Sequence, residues 1–183
     1  MKKLLLLLFA VLFSANSYAQ SNAIRVGVGW IPDNELDAYL VDFSVQYDKY
    51  LFTKENFFLS IGAQFNYDRG SNKGAEVSMM NLSIPLNFGK KFDLKNISLM
   101  PYVGFNGSYY TYGETKYAGK VSSFFDRSLG KSRYTPFQFG AQVGIDFVID
   151  KVTFGFEGVF DLTKFHNDVD NRIKILMRGG IAF

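Results

Sequence analysis

Cysteine is absent from the 183 residues, and histidine occurs once, as His166. No disulfide can form, so an exported chain of this size has to be held by its sheet and its surroundings. Charge of one sign is also missing. The formal net charge is +3, and setting aside Lys2 and Lys3 leaves about +1, a balance that argues against nucleic acid as a partner. Long apolar runs are lacking as well: past residue 13 nothing approaches the ~20 apolar residues of a membrane-spanning helix. There is no phosphate-binding glycine loop, no zinc-ligand spacing and no nucleophile elbow. The expectation is a chain with no cofactor, no metal and no catalytic residue.

What is present begins with Lys2 and Lys3, an apolar run from Leu4 to Phe13, and Ser17-Tyr18-Ala19 before Gln20. A charged start, a short apolar stretch and a small-x-small site are the parts of a secretory signal peptide. Residues 1–19 are therefore expected to be a leader cleaved after Ala19, and 20–183 the mature domain. No cysteine opens that mature chain, so no lipoprotein anchor is expected. Aromatics make up 17% of the chain, with 20 Phe and 11 Tyr, yet the mean hydropathy is +0.00. Apolar and polar residues must be finely interleaved, as in a β protein with one apolar face.

Eight segments alternate with a period of two. One face carries Ile24, Val26, Val28 and Trp30; then Tyr39 to Tyr47; Phe57 to Tyr67; Met80 to Phe88; Leu99, Val103, Phe105 and Tyr109; Phe137 to Phe147; Val152 to Leu162; and Ile173 to Phe183. The other face is Gly, Ser, Asn and Gln with a few charges. A soluble barrel with its apolar face inward is the rival reading. Eight strands enclose too little room for dozens of large side chains, and a wetted face would carry more Lys and Glu. Turned outward into lipid, the same pattern gives an all-β, eight-stranded antiparallel up-and-down transmembrane β-barrel, closed because lipid cannot satisfy a sheet edge. Turns expected at 49–55, 90–96 and 149–151 are short. Connections at 31–38, 69–76, 113–133 and 164–171 are longer and belong outside. Trp30, Tyr39, Tyr67 and Tyr109 would form the outer aromatic girdle, and Tyr47, Phe57, Phe88 and Phe183 the inner one.

The segments Asn81-Leu82-Ser83-Ile84-Pro85-Leu86, Pro101-Tyr102-Val103-Gly104 and Gly140-Ala141-Gln142-Val143-Gly144-Ile145-Asp146-Phe147 resemble stretches of the PorT-like outer-membrane barrels. The overall plan resembles OmpX and the OmpA barrel domain. The last strand, ending on Phe183 with apolar residues at alternate positions before it, looks like the signal that outer-membrane assembly machinery recognises. The resemblance implies a bacterial outer-membrane location, with outer-membrane lipids, lipopolysaccharide and that machinery as partners. Such barrels serve as anchors, adhesins, enzymes and secretion parts, and the leading expectation is a non-enzymatic barrel that stabilises the envelope or engages a surface partner. A secretion-apparatus component is the alternative, and a lipid-modifying enzyme stands third.

Arg25, Asp42, Asp146, Glu157, Lys174 and Arg178 fall on the polar face and, if buried, must pair. Glu157 and Arg178 are expected at similar depth on neighbouring strands. The reading of this set is a structural ion-pair network, since eight strands leave little room for a pore. The third outer loop brings Tyr112, Tyr117, Phe124 and Phe125 together with Lys116, Lys120, Arg127, Lys131 and Arg133. It is read either as a binding loop for lipopolysaccharide phosphates, a sugar or a protein, or as a hairpin prolonging the flanking strands. His166 has no serine near it in sequence, so the His–Ser pattern of lipid-deacylating barrels is absent. Asn167, Asp168, Asp170 and Asn171 match no full calcium loop and read as a solvated turn.

Overall fold

The computed structural model describes residues 20–33, 38–53, 55–72, 74–124, 135–163 and 172–183. The expected leader lies outside the described residues, as do Phe125, Asp126 and residues 164–171. The described residues form ten strands: β1 (Gln20–Asp33), β2 (Ala38–Phe52), β3 (Phe57–Asn72), β4 (Ala75–Lys90), β5 (Phe92–Leu94), β6 (Ile97–Tyr117), β7 (Lys120–Ser123), β8 (Phe137–Ile149), β9 (Val152–Asp161) and β10 (Ile173–Ala182). Eight of them form a closed antiparallel ring in the order β4-β3-β2-β1-β10-β9-β8-β6, with β6 returning to β4. Pairing of Ile24 with Ile181 and of Val28 with Met177 joins the first strand to the last. No edge is left along the wall, which is the condition a sheet must meet in lipid.

The period-two pattern becomes inside and outside. Val26 and Ile84 are each 61% exposed on the outer surface, whereas the neighbouring Arg25 is 1% exposed and Ser83 4%. Trp30, Tyr47, Phe88, Tyr109 and Phe183 lie exposed on that same outer face. In a narrow lumen even a methyl group decides packing. At Gly144 a Cβ would lie 2.4 Å from the Tyr102 ring, so glycine is what lets that ring cross the interior.

The strands differ in length more than the alternation predicts. β9 and β10 have 10 residues each, the span of a tilted membrane strand, while β6 has 21. Strands therefore run on into three of the expected loops. β1 and β2 stay paired to Asp33 and Ala38, and β3 and β4 to Asn72 and Ala75. Within 113–133, β6 runs to Tyr117, turns at Ala118 and Gly119 with φ of 47° and 79°, and returns as β7. Two successive positive φ angles suit a tight hairpin. The ladder continues past the lipid because backbone pairing needs no apolar face, so hydropathy alone cannot see it. At the inner end, the expected turn 90–96 holds a small hairpin pairing Phe92 with Leu99 and Leu94 with Ile97.

Two apolar plugs narrow the interior. Ile31, Leu40, Val77, Met79 and Tyr110 cluster at the outer end, with Phe124 packed against them. Ala23, Tyr50, Phe58, Met100 and Tyr102 cluster at the inner end. These residues sit on the lumen-facing rows, most of them near the ends of their strands; Tyr110 lies well inside the long β6.

Candidate functional site

Beside these plugs the lumen carries two groups of charges. In the inner group, Arg25 binds Asp48 at 2.5 Å and Asp146 at 2.6 Å, and Arg178 binds Glu157 at 2.7 Å. The Tyr102 hydroxyl donates to Glu157 at 2.8 Å and accepts from Arg178. Gln46 accepts from Arg178 through its carbonyl and donates to Asp48 at 2.7 Å, tying the two guanidinium groups into one assembly. In the outer group, Lys174 binds Asp42 at 2.7 Å and Asp68 at 3.4 Å, and Arg172 binds Asp161 at 3.3 Å. Arg172 also donates to the Tyr110 hydroxyl, which anchors the outer plug. Beside the charges, Gln64, Asn66, Asn81, Ser83, Ser108 and Asn106 form a chain of amides and hydroxyls. Each such bond inside a closed barrel satisfies a group that water does not reach.

All six residues expected in the lumen are there, and they meet as Arg25–Asp146, Glu157–Arg178 and Lys174–Asp42. Asp48, Asp68, Asp161 and Arg172 complete the groups but were not singled out. Their signal was available: Asp48 and Asp68 share parity with Asp42 and Gln64, and Arg172 with Lys174 and Arg178. Tyr102 is the other omission, because a tyrosine on a polar row does not announce itself as an ion-pair ligand. The chamber left between the amides and the outer charges is about 20 Å³. That is room for about one water, so at this level the described side chains fill the barrel. Catalysis has no evident centre among the described residues; His166, with Asn167, Asp168, Asp170 and Asn171, lies outside them.

The second candidate is the hairpin of β6 and β7. A register shift between Met80 and Asn81 leaves Thr111 unpaired on β6. Such a bulge exchanges the faces of every residue beyond it. Tyr112 and Lys116 consequently share one face, with Glu76 and Val121 opposite Lys116. Tyr117 and Lys120 share the other and face each other across the turn. All four are exposed. Glu114, two residues from Tyr112, accepts its hydroxyl and pushes that phenol up to about 12. Arg69 on β3 pairs with Glu76 on β4 at 3.9 Å. Arg127, Lys131 and Arg133, expected in the same loop, lie outside the described residues. Phe124 ends this segment by turning inward onto the outer plug, so the loop's aromatics do not act as one surface. Phe183 is placed by paired backbone bonds with Asn22, both 2.8 Å, and its ring points outward.

Comparison with known proteins agrees with this architecture. The sequence profile described as outer membrane protein beta-barrel domain matches residues 5–175. No curated protein matches the chain in sequence. Among solved structures, the chain is similar to Neisserial surface protein A, with 12% identity, a TM-score of 0.54, and coverage of 89% of this chain and 95% of that one. The outer membrane enzyme PagL is similar at 10% identity and a TM-score of 0.55, covering 86% and 98%. Ail, the attachment invasion locus protein of Yersinia pestis, is similar at 10% identity and 0.51, covering 91% and 99%. At these identities the likeness is one of fold.

Proposed function

Because the chain belongs to the outer membrane protein beta-barrel domain family, we propose that it is a non-enzymatic barrel of the bacterial outer membrane that engages a surface partner through its β6–β7 hairpin. The observation that carries this reading is the 21-residue β6. Half of it would span lipid, and its outer part holds Tyr112, Lys116, Tyr117 and Lys120 exposed above the barrel. A rigid, paired platform presents aromatic and cationic groups at lower entropic cost than a loop. Aromatic rings with lysines suit a partner that offers anionic groups on an apolar frame, whether lipopolysaccharide or a protein. The filled lumen supports an anchor over a pore. Export by cleavage after Ala19, and recognition of Phe183 by the assembly machinery, belong to the same proposal.

The test is to replace residues 114–123 with a two-residue turn joining β6 to the rest of the loop. Outer-membrane insertion and heat-modifiable migration on gels should stay unchanged while partner capture is lost. Normal insertion with partners retained would remove the hairpin from consideration.

The PorT-like phrases in β4, β6 and β8 favour a second reading, a component of a secretion apparatus. They lie in the barrel wall, where any barrel of this size needs alternating residues, and so bear on fold more than on role. Co-purification of secretion proteins with the native chain would favour it. An enzymatic role like that named for PagL would appear as an altered lipid A profile in a deletion strain.

A further inference from the structure

We propose that the inner, periplasmic mouth of the barrel is a binding site for a small amphipathic amine. A cavity of about 370 Å³ lies there, within the ~300–1,000 Å³ of small-molecule sites. Tyr50, Phe52, Met100, Val148 and Ala182 give it apolar walls; Asp146 and Thr153 are the buried polar residues of its lining, and Ser21, Thr53, Asn56, Lys91 and Asp150 complete it. Asp146 is 2% exposed and Thr153 5%. The Asp146 Oδ2 accepts from Arg25 and Tyr50, but its Oδ1 and the Thr153 Oγ1 have no partner among the described residues. Buried acceptors of this kind are nearly always satisfied in native proteins.

Charge selects the kind of ligand. The inner group counts three carboxylates, Asp48, Asp146 and Glu157, against two guanidinium groups, Arg25 and Arg178. It is one cation short. The outer group has the same excess, with Asp42, Asp68 and Asp161 against Arg172 and Lys174. There, however, the adjoining chamber of about 20 Å³ has space only for water. Among the described residues, it is at the inner mouth that the missing positive charge coincides with room for an organic body. Lys91, on the rim, does not supply it, being paired with Asp93 at 2.9 Å. An ammonium would lie beside the Asp146 carboxylate, whose Oδ1 now packs over Gly155 and would turn toward the cavity to accept a charge-assisted bond, while the apolar part of the ligand lies against Phe52 and Met100.

The probe is 4-phenylbutylamine, compared with 4-phenylbutanol and 4-phenylbutyrate, titrated into the full barrel in lipid nanodiscs and followed by calorimetry with empty discs subtracted. The amine should bind saturably and at least tenfold more tightly than the alcohol, and the carboxylate should not bind. Asp146→Asn tests the anion directly but removes a partner of Arg25, so two further variants keep the outcome decisive. Thr153→Val removes one acceptor, and Ala182→Leu fills the cavity without touching a charge. Each should lower amine affinity at least tenfold with heat-modifiability intact. Equal uptake of all three probes, or amine binding unchanged in the Ala182→Leu barrel, would overturn the proposal.

Discussion

At the scale of single residues, the lumen behaves as a set of pairs whose members cannot be removed one at a time. Glu157 is fully enclosed and is shared by Arg178 and Tyr102. Glu157→Ala leaves the Arg178 guanidinium in a dry interior, with Gln46 and Tyr102 as neutral ligands. The expected loss is ~3–5 kcal/mol of stability, measured as a shift in the urea unfolding midpoint in lipid vesicles. Glu157→Leu combined with Arg178→Met should cost less than either single change, since burying neither charge avoids both desolvation penalties. A double variant that loses the sum of the single losses would mean that the two do not act as partners. This pair was legible in the sequence, because parity and depth can be counted along two strands. Its link through Tyr102 was not, since it depends on Gly144 leaving room for the ring.

At the scale of elements, alternation located the strands and missed their ends. The apolar period stops where lipid stops, whereas the ladders of β1–β2, β3–β4 and β4–β6 run on through polar and charged residues. Thr111 adds a second failure. One unpaired residue reverses the faces beyond it, so counting from the membrane puts Tyr112 with Tyr110 when the fold separates them. The short inner hairpin of β5 offers a test of a different kind. Asp93 accepts from Ser98 at 2.6 Å and pairs with Lys91, which together hold its carboxyl below the usual value. A lowered folded value means that the contribution is complete above the ordinary carboxylate pKa and is lost as pH falls through the lowered one. The hairpin is thus fully supported at neutral pH and weakened only in acid. In Ser98→Ala, NMR titration of the Asp93 carboxyl should move toward the usual value. An unmoved titration would show that the hydroxyl bond is not formed in solution.

At the scale of the whole molecule, the barrel is narrowed twice by apolar clusters. Sequence patterning showed a polar interior and could not show the clusters. Residues such as Ile31, Leu40, Phe58 and Met100 look like breaks in the alternation until the ring closes and sets them opposite one another. Apolar constrictions exclude water, and charge pairs between them bind their counter-charges in place, so an ion meets barriers in series. Series barriers predict that no single opening is enough. The intact protein should show no steady ion current in planar bilayers. Replacing Met79 and Leu40 by glycine opens the outer plug yet should leave the current at baseline, because Tyr50, Phe58, Met100 and Tyr102 still close the other end. Glycine at Phe58 and Met100 alone should do the same. Only the combination, together with loss of the Lys174 and Asp42 pair that fills the middle, should conduct. A current in the intact protein, or in either singly opened barrel, would show that the lumen is a gated path and that the ion pairs are its ligands.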